Sequence, residues 1–81
     1  MKLQDLLKNI QPVEIAGDVE TEVTGVNIDS RKIKDSHLFV AMKGTQVDGH
    51  KFIPKAIELG AKSILCEDMP EEKVEGVTYV K

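Results

Sequence analysis

Two short polar stretches hold the side chains best suited to chemistry, Asp29-Ser30-Arg31 and Gly44-Thr45-Gln46-Val47. A serine hydroxyl both donates and accepts a hydrogen bond, and so does a glutamine amide. Together, Ser30 and Gln46 match the edge of a uracil, which presents carbonyl acceptors and one N–H donor. Ile28 and Val47 offer apolar surface to the faces of such a base. Arg31, Lys32 and Lys34 form the one tight basic cluster of an acidic chain. A guanidinium meets phosphate oxygens through paired hydrogen bonds, and the helix expected to start near Asp48 brings backbone N–H groups to the same region. Plainer readings compete: Asp-Ser-Arg is a common turn, Arg-Lys-Lys is ordinarily a solvated face, and Asp48-Gly49 is a turn signal in any protein. Read from its residues alone, the region is a polar pocket.

Other chemistries find little support. His37 and His50 fall on different elements, without metal-ligand spacing and without a Cys/His cluster. His50, near a helix start, reads as a surface or capping residue. "GTQVDGHK" has two glycines at the wrong spacing for a triphosphate-gripping P-loop, and Lys51 is not followed by Ser or Thr. The carboxylates are scattered, with no pair placed as an acid and a base. Cys66, in "KSILCED", reads as a small buried hydrophobe; the adjoining Glu67 and Asp68 oppose thiolate formation.

At 81 residues the chain is one domain or a piece of a larger protein. It is 41% hydrophobic and 31% charged with a net charge of −3, a globular and water-compatible balance. The acidic balance argues against nucleic acid, which needs a basic face to displace counterions. No apolar run approaches the roughly 20 residues of a membrane span, and no secretory signal opens the sequence. A single cysteine rules out an internal disulfide. These readings lead to an expectation of a cytoplasmic protein without nucleic-acid or membrane partners.

Five strands and two helices are expected to position the polar stretches. Leu3, Leu6, Leu7 and Ile10 predict one face of a helix over 2–10, ended by Pro12. Val13 and Ile15 predict a short strand or an extended arm before Gly17-Asp18. "EVTGVNID" predicts a strand with Val26 and Ile28 on one face, and Gly25 within it signals a bulge or a close backbone approach. "HLFVAMK" is apolar without alternation from Leu38 to Met42, which predicts a strand covered on both faces. Ile53, Ala56 and Ile57 predict a helix beginning near Gly49–Lys51, with Asp48 as its cap, Pro54 in its first turn and Gly60 as the left-handed residue after it. "AKSILCE" and "VTYVK" predict two more strands, the last alternating at Val77 and Tyr79, with an acidic surface loop, "MPEEKVEG", between them. Strand–helix–strand from Leu38 to Cys66 makes parallel neighbours. The fold class is therefore α/β, a small domain with a mostly parallel or mixed sheet flanked by helices. Ligands in such sheets bind beyond the carboxyl ends of strands, where both polar stretches fall. The last strand runs to Lys81, which leads to the expectation that residues 1–81 are part of a longer protein.

Taken in order, "DSR", "LFVAMKG" and "DGHKFIPKAIELGA" resemble the amino-terminal domain of the Mur ligases, the ATP-dependent amide ligases that build the peptide of bacterial cell-wall precursors. The likeness is strong over residues 26–61 and looser elsewhere. Phe52-Ile53 after Asp48-Gly49-His50 is more similar to the member that adds the third residue, usually a diamino acid, than to the one that adds D-alanyl-D-alanine. A self-standing small binding module is the reading from another class. One departure stands out: Ser36-His37 occupies the place where the family commonly has Gly-Asp. The resemblance implies binding of the UDP end of a UDP-N-acetylmuramoyl-peptide, with Ile28, Ser30, Thr45, Gln46 and Val47 as the contacts and with Asp29 and Arg31 holding the turn. It implies no catalytic residue, metal or cofactor in these 81 residues. ATP, magnesium and the incoming amino acid belong to central and carboxy-terminal domains, which would be this domain's partners, and the chain alone is expected to be inactive.

Overall fold

A computed structural model of the chain describes residues 1–10, 12, 14–42, 48–71 and 73–81, the side chain of residue 9 excepted. Among the described residues the strands are β1 (Ile15–Ala16), β2 (Gly25–Asn27), β3 (His37–Val40), β4 (Ser63–Leu65) and β5 (Thr78–Val80). They form one five-stranded sheet in the order β1-β5-β4-β3-β2. β2 through β5 are parallel, and β1 pairs antiparallel with β5. β2 and β3 are direct neighbours, Gly25 opposite His37 and Asn27 opposite Phe39. β1 and β2 form the two edges.

Helices cover both faces. α1 (Leu3–Leu6) packs Leu3 against Val23, Leu38 and Val80, with Leu6 and Leu7 beside them. α2 (Ile53–Glu58) packs Ile53 and Ala56 against Phe39, Ile64 and Tyr79. Leu38 and Phe39 thus belong to opposite layers, and both are almost wholly buried. That explains the unbroken apolar run in β3, since neither face is left to water. Burying a side chain such as Phe39 contributes roughly 1.5–3 kcal/mol. Cys66 is buried as expected, and burial, with the nearby Asp68 adding to it, pushes its thiol above the ordinary value.

Four details depart from the sequence pattern. The first helix tightens into a 3-10 turn at Leu7–Asn9, and Ile10 is extended and half exposed rather than on the buried face. A 3-10 turn advances fewer residues per revolution, which takes Ile10 off the stripe. Val26 is exposed, because β2 is an edge strand, and Ile28 is exposed in the corner just beyond it. Thr78 is as buried as Tyr79 and Val80, since β5 lies inside the sheet with both faces covered, and the expected alternation is absent. Met42 is exposed, at the end of the run that buries Leu38 and Phe39. Gly25 does serve a close approach: a Cβ there would meet the His37 ring at 2.8 Å.

The turns around α2 are tightly specified. Pro54 lies in the first turn of the helix, and Gly60 follows its end with φ +119°. The Gly60 carbonyl accepts the Ser36 N–H at 2.8 Å, and a Cβ on Gly60 would lie 2.8 Å from the Asp35 Cα. Ser36 itself has φ 62°, a conformation that glycine adopts without strain. Ser36 thus holds a left-handed turn that a glycine would adopt at lower cost. Two substitutions should act in opposite directions in urea unfolding. Gly60→Ala should cost about 2 kcal/mol, through positive φ and the clash with the 34–36 turn. Ser36→Gly should stabilise by about 0.5–1 kcal/mol. Equal stability of Gly60→Ala and the parent chain would show that the contact is loose.

Candidate functional site

The chain leaving β2 folds at once into an ordered corner. The Asn27 side-chain carbonyl accepts the Asp29 N–H at 3.0 Å. Asp29 then caps a 3-10 turn over Ser30–Lys32, its Oδ1 accepting the Arg31 N–H at 2.9 Å. The same carboxylate takes the Arg31 guanidinium at both oxygens, from Nε at 3.1 Å and from Nη2 at 3.1 Å. Asp29 and Arg31 thus hold the turn, as the resemblance implied. Between them Ser30 is buried to 7% exposure. Among the described residues its hydroxyl has no hydrogen-bond partner.

A second corner faces this one. Asp48 caps the 3-10 turn Gly49–Phe52, its Oδ1 accepting the His50 N–H at 2.9 Å, and α2 follows without a break. The Gly49 N–H donates to the Met42 carbonyl at 2.8 Å, which ties the turn to the chain just beyond β3. Phe52 ends the turn, about a third exposed, with the Lys51 ammonium 5.3 Å from its ring centre.

Ile28, Asp29, Ser30 and Arg31 from the first corner and Phe52 from the second line one cavity of about 410 Å³. That volume suits a small organic ligand. Exposed Ile28 and Phe52 give it apolar walls, Ser30 a hydroxyl and Arg31 a cation. Of the residues expected at the site, Ile28 and Ser30 are brought together here; Thr45, Gln46 and Val47 lie outside the described residues. Phe52 went unanticipated. Its signal was present, because it precedes the core-facing stripe of Ile53, Ala56 and the partly buried Ile57 and so falls off that stripe. His50 does more than cap, since its ring bonds to the loop after β4 as well as to Asp48. Lys32 and Lys34 are exposed. Among the described residues no cluster of three or more His, Cys, Asp or Glu side chains is gathered for a metal ion.

The Asp29 clamp has a pH signature. Side-chain and then backbone hydrogen bonds from Arg31 hold the Asp29 carboxyl below the ordinary 3.8. A lowered folded-state value means that the clamp contributes stability above pH 3.8, and that this is lost as the pH falls through the folded midpoint. Carboxyl-detected NMR titration should therefore give Asp29 a midpoint below 3.8. Asp29→Asn should flatten the acid-side loss of stability. A midpoint at or above the ordinary value would mean that the clamp does not form in solution.

Comparison with known proteins agrees with this architecture. Residues 22–80 match the family model described as Mur ligase family, catalytic domain. The UDP-N-acetylmuramoyl-L-alanyl-D-glutamate–2,6-diaminopimelate ligase of Bacteroides thetaiotaomicron is 59% identical over all 81 residues, and that of Bacteroides fragilis is 57% identical over the same span. The chain spans 17% of the length of each of these relatives. Among solved structures, MurF from Acinetobacter baumannii superposes on 98% of this chain, and 17% of its own, with a TM-score of 0.82 at 21% identity, a likeness of fold. The MurF ligase of Thermotoga maritima, solved with ADP, superposes on 70% of this chain and 13% of its own, with a TM-score of 0.58 at 30% identity. By the family match over most of its length, the chain belongs to the Mur ligase family.

Proposed function

We propose that this chain is the amino-terminal, UDP-binding domain of an ATP-dependent ligase that adds a diamino acid, as third residue, to UDP-N-acetylmuramoyl-dipeptide. The observation that carries this reading is the 59% identity, along the whole chain, to a relative named for that reaction. The cavity between the two corners supports the location of the nucleotide. Ser30 and Gln46 read the uracil edge, Ile28 and Val47 flank the ring, and Thr45 completes the contact, while Phe52 shares the cavity with Ile28. Arg31 remains anchored to Asp29 and presents its charge at the rim. The D-alanyl-D-alanine-adding alternative draws on MurF structures at 21% and 30% identity, well below the 59% of the diaminopimelate-adding relative.

On this reading ATP and magnesium act in a central domain and the amino acid is received by a third domain. These are the partners of the present chain, in the cytoplasm where ATP and the nucleotide-linked precursor are made. The chain's own part is positional. Holding the remote nucleotide lets binding energy orient a distant carboxylate for reaction. The chain alone is therefore inactive.

Titration of the 15N-labelled chain with UDP should move the amide signals of Ser30, Thr45, Gln46 and Val47. Ser30→Ala should weaken UDP binding about fivefold, the worth of one hydrogen bond, without unfolding the domain. Shifts confined to other regions, or none at millimolar UDP, would sink the proposal. A broad loss of structure in Ser30→Ala would instead make Ser30 a turn residue.

A further inference from the structure

We propose that His50 is a positioning residue, held as the neutral imidazole with its proton on Nδ1. In this form it clasps the turn that carries Phe52 to the loop leaving β4. The ring geometry assigns the tautomer. Nε2 lies 3.0 Å from the Glu67 N–H nitrogen and 3.1 Å from that of Asp68. Both are donors, so Nε2 presents its lone pair and carries no proton. The remaining ring proton is on Nδ1, which lies 2.7 Å from Asp48 Oδ1 and donates to it.

The clasp spans two loops beyond the carboxyl ends of β3 and β4. At one end is Asp48, whose Oδ1 also caps the turn through the His50 N–H. At the other are the residues after Cys66, and the Cys66 N–H donates to the Val80 carbonyl of β5 at 2.8 Å. The ring itself is only 14% exposed on its side chain, so water competes little for these bonds. Phe52 closes the turn two residues further on and lines the cavity opposite Ile28–Arg31. By fixing the turn, His50 sets the place of that wall. A ring that merely filled space would not collect two amide donors on one nitrogen. The consequence for ligand affinity rests on the nucleotide-site reading above; the clasp itself does not.

Three substitutions separate the two ends of the ring. Gln reaches the position of Nε2 and offers a carbonyl oxygen to both amides. Asn reaches only the position of Nδ1 and can donate to Asp48. Phe keeps the volume without either bond. In the 81-residue chain, nitrogen-detected NMR of the ring should show the Nδ1-protonated tautomer. Amide hydrogen exchange at Glu67 and Asp68 should be fast in His50→Asn and His50→Phe and slow in the parent and His50→Gln. With UDP as probe, His50→Gln should bind within about twofold of the parent, and His50→Asn and His50→Phe about fivefold or more weaker. An Nε2-protonated or averaging ring, or fast exchange in His50→Gln, would overturn the clasp. If the clasp holds but all variants bind UDP like the parent, its positioning role is overturned. If the parent binds no UDP, the nucleotide-site reading falls, while exchange and the ring tautomer still decide the clasp.

Discussion

The parallel alignment of β2, β3, β4 and β5 is the constraint from which the rest of the molecule follows. Strands that run the same way end at the same edge, and the chain must leave each of them there. The corner after β2 and the corner after β3 are therefore neighbours whatever their residues. A parallel sheet also requires covering elements on both faces, because its crossovers lie over the faces rather than beyond the ends. α1 and α2 answer that requirement from opposite sides. The cavity lined by Ile28–Arg31 and Phe52 is thus a product of topology before it is a product of side chains.

Side chains then make the corners rigid in similar ways. Each corner uses an aspartate to cap a 3-10 turn, Asp29 for Ser30–Lys32 and Asp48 for Gly49–Phe52. Each aspartate also holds the side chain two residues on, an arginine in one case and a histidine in the other. The cap leaves the intervening or following residue to line the cavity: Ser30 in the first corner, Phe52 in the second. Asp29 further offsets the Arg31 charge, so the first corner presents a cation already partly balanced.

Much of this was legible in the sequence, for identifiable reasons. Strand–helix–strand from Leu38 to Cys66 dictates parallel neighbours, the unbroken run in β3 dictates a covered sheet, and Pro54 and Gly60 bracket α2 through local backbone chemistry. The Asp-Ser-Arg corner was legible as a turn, because an aspartate bonds its own backbone two residues on. What escaped is non-local. The bonds from the His50 ring to Glu67 and Asp68 cross 17 and 18 residues, and no pattern along the chain encodes them. The exposure of Val26 follows from the edge position of β2, which only the strand order reveals. Ile10 leaves its helix face through a change of helix type that apolar spacing does not register.

The rims of the sheet are brief: two residues in β1 and three in β2. An outermost strand exposes unpaired backbone groups that can template the addition of a foreign strand, and brevity is one of the ways natural sheets blunt that hazard. Here the longer β3, with Leu38 and Phe39 buried, is enclosed on either side by β2 and β4. An apolar strand is thereby kept from templating amyloid-like pairing, which should favour solubility when many copies crowd together.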